Sequence, residues 1–164
     1  ILEDKRKRRY SLRSIFNAMF YIIKTGCQWR MLPFCYPSWK LVYYYFKKYI
    51  ADGTIDLIHE VLREKTRLAK GKKAVPSLGI MDSQSISTTR SGGEERGYDG
   101  GKKIKGRKRH IVVDSLGLLL VVAVHAANIH DSKAATNVLT KLKDYFFCIQ
   151  TIIADGGYRQ NLCL

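Results

Sequence analysis

The sequence predicts an α/β fold in which a small all-α unit, residues 5–70, precedes a mixed sheet, residues 76–164. Two patterns carry this reading. Over the first 70 residues, apolar positions recur at helical spacing between cap-forming residues. Beyond a turn-rich connection the pattern changes to short β-branched runs interrupted by one helical segment. A chain of 164 residues with 46% hydrophobic and 26% charged positions is long enough to bury a core in one or two domains.

The elements follow in order. Ser11 is an N-cap; Leu12, Ile15, Phe16, Met19, Ile22 and Ile23 form one helix face, and Gly26 is its stop. Pro33 and Pro37 mark a turn-rich stretch. Ser38 caps a second helix with Trp39, Val42, Tyr43, Phe46 and Ile50 on its apolar face, ending near Gly53. Thr54 caps a third, with Ile55, Ile58, Val61, Leu62 and Leu68, ending near Gly71. Residues 70–77 read as a linker. Leu78–Asp82 is a short apolar run ending in a carboxylate, and residues 87–103, with five glycines among charges, read as a long mobile loop. His110–Asp114 and Leu118–Val124 form a hairpin through Ser115-Leu116-Gly117. Asp131-Ser132 caps a helix with Ala134, Ala135, Val138, Leu139 and Leu142 on one side. Thr151–Asp155 is a last strand, which the helical crossover returns parallel to an earlier one.

The net charge of +15 favours a polyanionic partner, nucleic acid first and an acidic membrane surface second. The longest strictly apolar run, Leu118–Val124, is far short of the ~20 residues a membrane span needs. Six cations, Lys102, Lys103, Lys105, Arg107, Lys108 and Arg109, fall within eight residues just before the second strand. Such density repels itself unless an anion neutralises it, so these six are candidate phosphate contacts. Gly101 and Gly106 would let the backbone approach a phosphate. Lys40, Lys47 and Lys48 lie beside the aromatic stripe of the second helix and are further candidates, while Trp39, Tyr43 and Phe46 read as core. The basic run at residues 5–9 is an arm before the first helix. Cys27, Cys35, Cys148 and Cys163 have no zinc-site spacing and read as reduced and largely buried.

Asp82 and Asp155 each end an apolar strand, where an unpaired charge is costly to desolvate. On parallel neighbouring strands both would emerge at the C-terminal edge, the usual site of open α/β sheets. Two carboxylates that close need a cation between them, and their hard oxygens suit Mg²⁺ or Mn²⁺. Two such ions about 4 Å apart can assist phosphodiester cleavage. A strand-end Asp is also a common turn former or helix cap. Asp114 and Asp131 are assigned such structural roles, at the hairpin turn and the helix cap, and His110, His125 and His130 ordinary hydrogen-bonded ones.

Several linked segments resemble one family. Thr25-Gly26-Cys27-Gln28-Trp29-Arg30-Met31-Leu32-Pro33 and Val42–Phe46 resemble the N-terminal helical domain of bacterial insertion-sequence transposases of the family four/family five group. Met81-Asp82-Ser83-Gln84-Ser85-Ile86, Gly101–His110 and Ala154-Asp155-Gly156-Gly157-Tyr158 resemble its catalytic core. The match runs through nearly the whole chain in order. It implies an RNase H-like fold whose DDE triad takes its first two members at Asp82 and Asp155, with two Mg²⁺ (or Mn²⁺) ions. The third member, a downstream helical Glu, has no counterpart in residues 156–164, and a short helix that usually precedes the basic arm is also absent. The resemblance therefore implies a partial core in a truncated chain. The expected partners are double-stranded DNA, both element ends and target, and a possible homo-oligomer on DNA, with no membrane. The expected location is the bacterial cytoplasm and nucleoid.

The function expected is DNA binding with metal-dependent cleavage and strand transfer, the last not within reach of this chain alone. The alternatives are a DNA-binding remnant or inhibitor without catalysis, and a nuclease for branched DNA on the same scaffold. An RNA-binding protein would leave the two strand-end aspartates unexplained.

Overall fold

The computed structural model describes residues 9–89 and 95–158. The chain divides into two compact units, Ile1–Arg63 and Glu64–Leu164. The first holds helices α1 (Leu12–Thr25) and α2 (Trp39–Ala51) and most of α3 (Thr54–Ala69). The second holds strands β1 (Leu78–Ser87), β2 (Gly97–Asp99), β3 (Ile104–Val113) and β4 (Leu119–Ala126), then helix α4 (Asp131–Tyr145) and strand β5 (Thr151–Ala154). Among the described residues no helix is long and apolar enough to cross a membrane.

In the first unit local signals set the helix ends. The Ser11 hydroxyl accepts the Ser14 N–H at 3.2 Å, and Gly26 closes α1 in the left-handed region at φ 67°. The start of α3 is capped by Asp52, whose Oδ1 accepts the Thr54 N–H at 3.1 Å, rather than by Thr54 itself. Ile15, Ala18, Met19, Val42 and Tyr49 form the core, with Trp29, Tyr45 and Phe46 packed on it. The buried stripe of α2 is thus Val42, Tyr45, Phe46 and Tyr49. Tyr43 and Ile50, expected inside, are exposed, since they lie off the α2 stripe that packs on α1. The Trp29 ring meets Tyr43 edge-on at 5.0 Å and Phe46 at 5.2 Å.

In the second unit, β3 pairs antiparallel with β1 on one side. On its other side it pairs antiparallel with β4 and, further along, with the short β2. β5 lies outside β1 and parallel to it, the direction expected for a strand returned through a helix. This is a mixed sheet of the RNase H-like kind. α4 covers one face and buries Ala135, Val138, Leu139 and Leu142 against Met81, Val112, Val121 and Ala123. Each fully buried Val or Leu there is worth about 1.5–3 kcal/mol. The opposite face carries Ile80, Ile86, Val122, Val124 and Ile153, all exposed.

Several sequence expectations shift here. β1 runs on to Ser87, so Asp82 stands in mid-strand rather than at a strand end. β3 begins at Ile104, so the basic run lies largely within a strand instead of before it. The stretch 87–103 contains β2, and its residues 90–94 lie outside the described residues, as do 5–8 of the basic arm. Gly106 serves strand packing and not phosphate approach: a Cβ there would stand 1.9 Å from the Ile86 carbonyl oxygen of the neighbouring strand. Cys35 and Cys148 are exposed and Cys27 half-buried, contrary to the expectation of burial; Cys163 lies outside the described residues.

Asp114 closes the β3–β4 hairpin and is fully buried. Its Oδ1 accepts the backbone N–H of Leu116 at 2.8 Å and of Leu118 at 2.9 Å. Its Oδ2 pairs with the guanidinium of Arg67, whose Nε donates to the Lys73 carbonyl at 2.7 Å. Burial pushes its carboxyl up, but the Leu118 N–H, Arg67 and Leu116 outweigh that and hold it below the ordinary 3.8. Asp114→Ala should cost about 3–5 kcal/mol by leaving Arg67 buried and uncompensated, with part regained when Arg67→Met is added; urea unfolding of the single and double variants measures both. Because the folded pKa is depressed, the charge contributes stability that is present above about pH 4 and lost as pH falls through the folded value, a loss Asp114→Asn should remove. Gly106→Ala should cost about 1–3 kcal/mol in the same measurement, because its new methyl meets backbone that must move.

Candidate catalytic and nucleic-acid site

Alternation along β1 and β3 sorts the chemistry of the sheet onto two faces. Ile80, Asp82, Gln84 and Ile86 stand on the open face of β1; Lys105, Arg107, Arg109 and Ile111 stand on that of β3. Met81, Ser83 and Ser85, with Lys108, His110 and Val112, turn towards the face that α4 covers.

The parallel register of β1 and β5 ends with Met81 opposite Ala154. Asp82 follows Met81 on the open face of β1, and Asp155 is the first residue beyond the end of β5. Both are exposed, and the Asp82 Oδ1 accepts its neighbour Ser83's N–H at 2.7 Å. One strand over, the Arg109 guanidinium donates through Nε to the Gln84 Oε1 at 3.0 Å. Arg107 donates through Nε to the Glu95 carbonyl at 2.9 Å, and Lys105 is exposed. Lys102 and Lys103 lie exposed in the turn before β3; the Lys102 Nζ is 3.3 Å from the Ser83 carbonyl. Lys40, Lys47 and Lys48 are exposed on α2 of the first unit.

Lys108 departs from this group. It is buried, donating to the Asp131 Oδ1 at 2.9 Å and lying 3.5 Å from the Asp99 Oδ2. The expectation that it contacts DNA is therefore wrong: its ammonium is spent inside the unit. Period-two alternation in Lys105–Arg109 carried the signal, because it puts Lys105, Arg107 and Arg109 on one face and Lys108 on the other.

Beneath the sheet lies a polar network that the sequence reading did not assemble. His130, not Asp131, is the N-cap of α4: its Nδ1 accepts the Ser132 N–H at 3.3 Å. This frees the Asp131 carboxylate to accept from Lys108 and, at 3.3 Å, from the Ser83 hydroxyl. Burial raises the Asp131 pKa, yet the Lys108 ammonium outweighs it and leaves the carboxyl below its ordinary value. Asp99 accepts from the Ser85 hydroxyl at 2.5 Å and from the N–H groups of Gly101 and Lys102 at 3.1 Å each. The Ser85 bond foremost draws its carboxyl down to about 2. His110 is fully buried, stacked on His125 with ring centroids 4.8 Å apart. Its Nδ1 lies 2.8 Å from the Tyr158 hydroxyl and its Nε2 3.8 Å from the Asp131 Oδ1. Burial first, and then the neighbouring His125, lower its pKa to about 4, so the ring is neutral at physiological pH. Burial likewise pushes the Tyr158 hydroxyl up to about 12.

Among the described residues, no group of three or more His, Cys, Asp or Glu side chains stands ready to hold a metal ion. A family model described as a transposase DDE domain matches residues 73–164, and one described for transposases of the IS4/5 family matches residues 2–59. No curated protein and no solved structure matches the chain. Members of the DDE family carry nuclease and transesterification activity and generally use divalent metal ions. With both halves matched in order over an RNase H-like sheet, the chain belongs to the IS4/5 family of DDE transposases.

Proposed function

We propose that this transposase chain binds double-stranded DNA, and that Asp82 and Asp155 are the carboxylates of its phosphodiester chemistry, cleavage and strand transfer at insertion-sequence ends. Segment 5–70 is then the DNA-binding region and 76–164 the catalytic one. The observation that carries this reading is that two exposed aspartates follow directly on the last register pair of two adjacent parallel strands, Asp82 after Met81 on β1 and Asp155 after Ala154 at the end of β5, with a row of cations one strand over from Asp82.

A divalent ion fits the donor set. Two exposed carboxylates offer hard oxygen ligands, and Mg²⁺ is commonly held by one or two carboxylates with water and phosphate oxygens completing the shell. Bound there, the ion would supply Lewis acidity at the scissile phosphate. The chain's own residues do the rest. Asp82 is oriented by the Ser83 N–H at 2.7 Å. Lys105, Arg107 and Arg109 neutralise the phosphates that flank the cut, Lys102 and Lys103 extend the track, and Lys40, Lys47 and Lys48 engage DNA from the helical segment.

DNA binding by the whole chain, followed by fluorescence anisotropy across a salt series, tests the cationic face. Lys105→Ala with Arg109→Ala should weaken binding about tenfold and make the log–log salt slope shallower by about 2. Lys108→Ala should leave that slope unchanged and instead lower the melting temperature. The carboxylates are tested by repeating the titration in EDTA and in Mg²⁺. Without the ion, Asp82→Asn with Asp155→Asn should bind DNA more tightly than the parent chain, since two repelling charges are gone. With the ion the parent should gain affinity and the double variant should not. An equal response of both proteins to Mg²⁺ would overturn the assignment of the aspartates.

A further inference from the structure

We infer that Tyr158, His110 and Ser83 are positioning residues that fix the gap between Asp82 and Asp155 from the covered side of the sheet. This rests on the carboxylate reading above and extends it to groups that touch neither DNA nor ion.

β5 is only four residues long and pairs with β1 through four positions, the last of them Ala154. Asp155 follows immediately, so its place depends on what anchors the chain beyond it. That anchor is Tyr158, one turn on. Its N–H donates to the Asp155 carbonyl at 3.3 Å, and its ring is buried in the core with Val112, Ala135 and Leu139. A purely apolar anchor would be a Phe. The hydroxyl adds direction, reaching the His110 Nδ1 at 2.8 Å.

From there polar groups lead back to Asp82, across one step, His110 to Asp131, that is electrostatic and not a hydrogen bond. His110 Nε2 lies 3.8 Å from the Asp131 carboxylate, whose charge favours a proton on that nitrogen; in that tautomer Nδ1 accepts from the tyrosine. Asp131 is held by Lys108 at 2.9 Å and accepts the Ser83 hydroxyl at 3.3 Å. Ser83's own N–H then donates to the Asp82 Oδ1 at 2.7 Å. Asp82 and the chain at Asp155 are thereby coupled, by hydrogen bonds and one electrostatic step, through groups that are largely buried on the covered face. Misplacement by about 1 Å is enough to spoil a constellation of this kind, so a hydroxyl in such a place has consequences for the ion.

The test is Mn²⁺ binding to the full chain, followed by electron paramagnetic resonance of the free ion at fixed pH. The parent chain should bind Mn²⁺, and Asp82→Asn with Asp155→Asn should abolish binding. Tyr158→Phe keeps the packed ring and removes only the hydroxyl; it should weaken Mn²⁺ binding about tenfold while the circular dichroism spectrum stays unchanged. Ser83→Ala, a smaller change, should weaken it in the same direction and serves if Tyr158→Phe fails to fold. Val138→Ala, in the same core but off the path, should lower the melting temperature and leave Mn²⁺ affinity alone, which separates positioning from general loosening. Parent-like affinity in folded Tyr158→Phe and Ser83→Ala, with binding still lost in the double Asp variant, would overturn the positioning role alone. No Mn²⁺ binding by the parent would overturn the carboxylate reading and this inference with it.

Discussion

The antiparallel ladder between β1 and β3, eight residue pairs from Ile80–Val113 to Ser87–Gly106, is the constraint on which the second unit depends. A ladder that long admits one register only, because a slip by one residue would send every side chain to the opposite face. Val112 and Met81 would then meet solvent, and Arg109 and Gln84 would enter the core under α4. The apolar burial beneath α4 therefore selects the register, and the register in turn delivers Asp82, Gln84 and Arg109 to the open side.

Charge inside the unit follows from the same geometry. Lys108 and Asp131 are desolvated together, as are Arg67 and Asp114, and neither pair is a cheap source of stability, since removing two ions from water costs about as much as their attraction returns. Their effect is on specificity of arrangement. Asp114 holds the hairpin turn through two backbone N–H groups, and Asp131 binds the first turn of α4 to β1 and β3. An apolar replacement could fill either space but could not aim these backbone segments.

The cations that remain outside are the ones available to a polyanion. A net charge of +15 sets a long-range field, yet it is the strand alternation that concentrates Lys105, Arg107 and Arg109 on the face that also carries Asp82. On that face Gln84 of β1 accepts from the Arg109 guanidinium.

The sequence by itself determined what is local. Caps and stops such as Ser11 and Gly26 act within a few residues, and apolar periodicity locates α1, α4 and the hairpin because each signal is completed inside one element. Asp114 was legible as a turn residue for the same reason, and the helical crossover was enough to make β5 parallel. Only the tertiary structure decided which cation of the basic run is buried, that Asp131 serves a network and not a cap, and that His110 meets Tyr158 across 48 residues of chain. Those outcomes depend on which strands become neighbours and on which face α4 covers, and both are set by the total burial of the folded sheet, a quantity no short window of sequence contains.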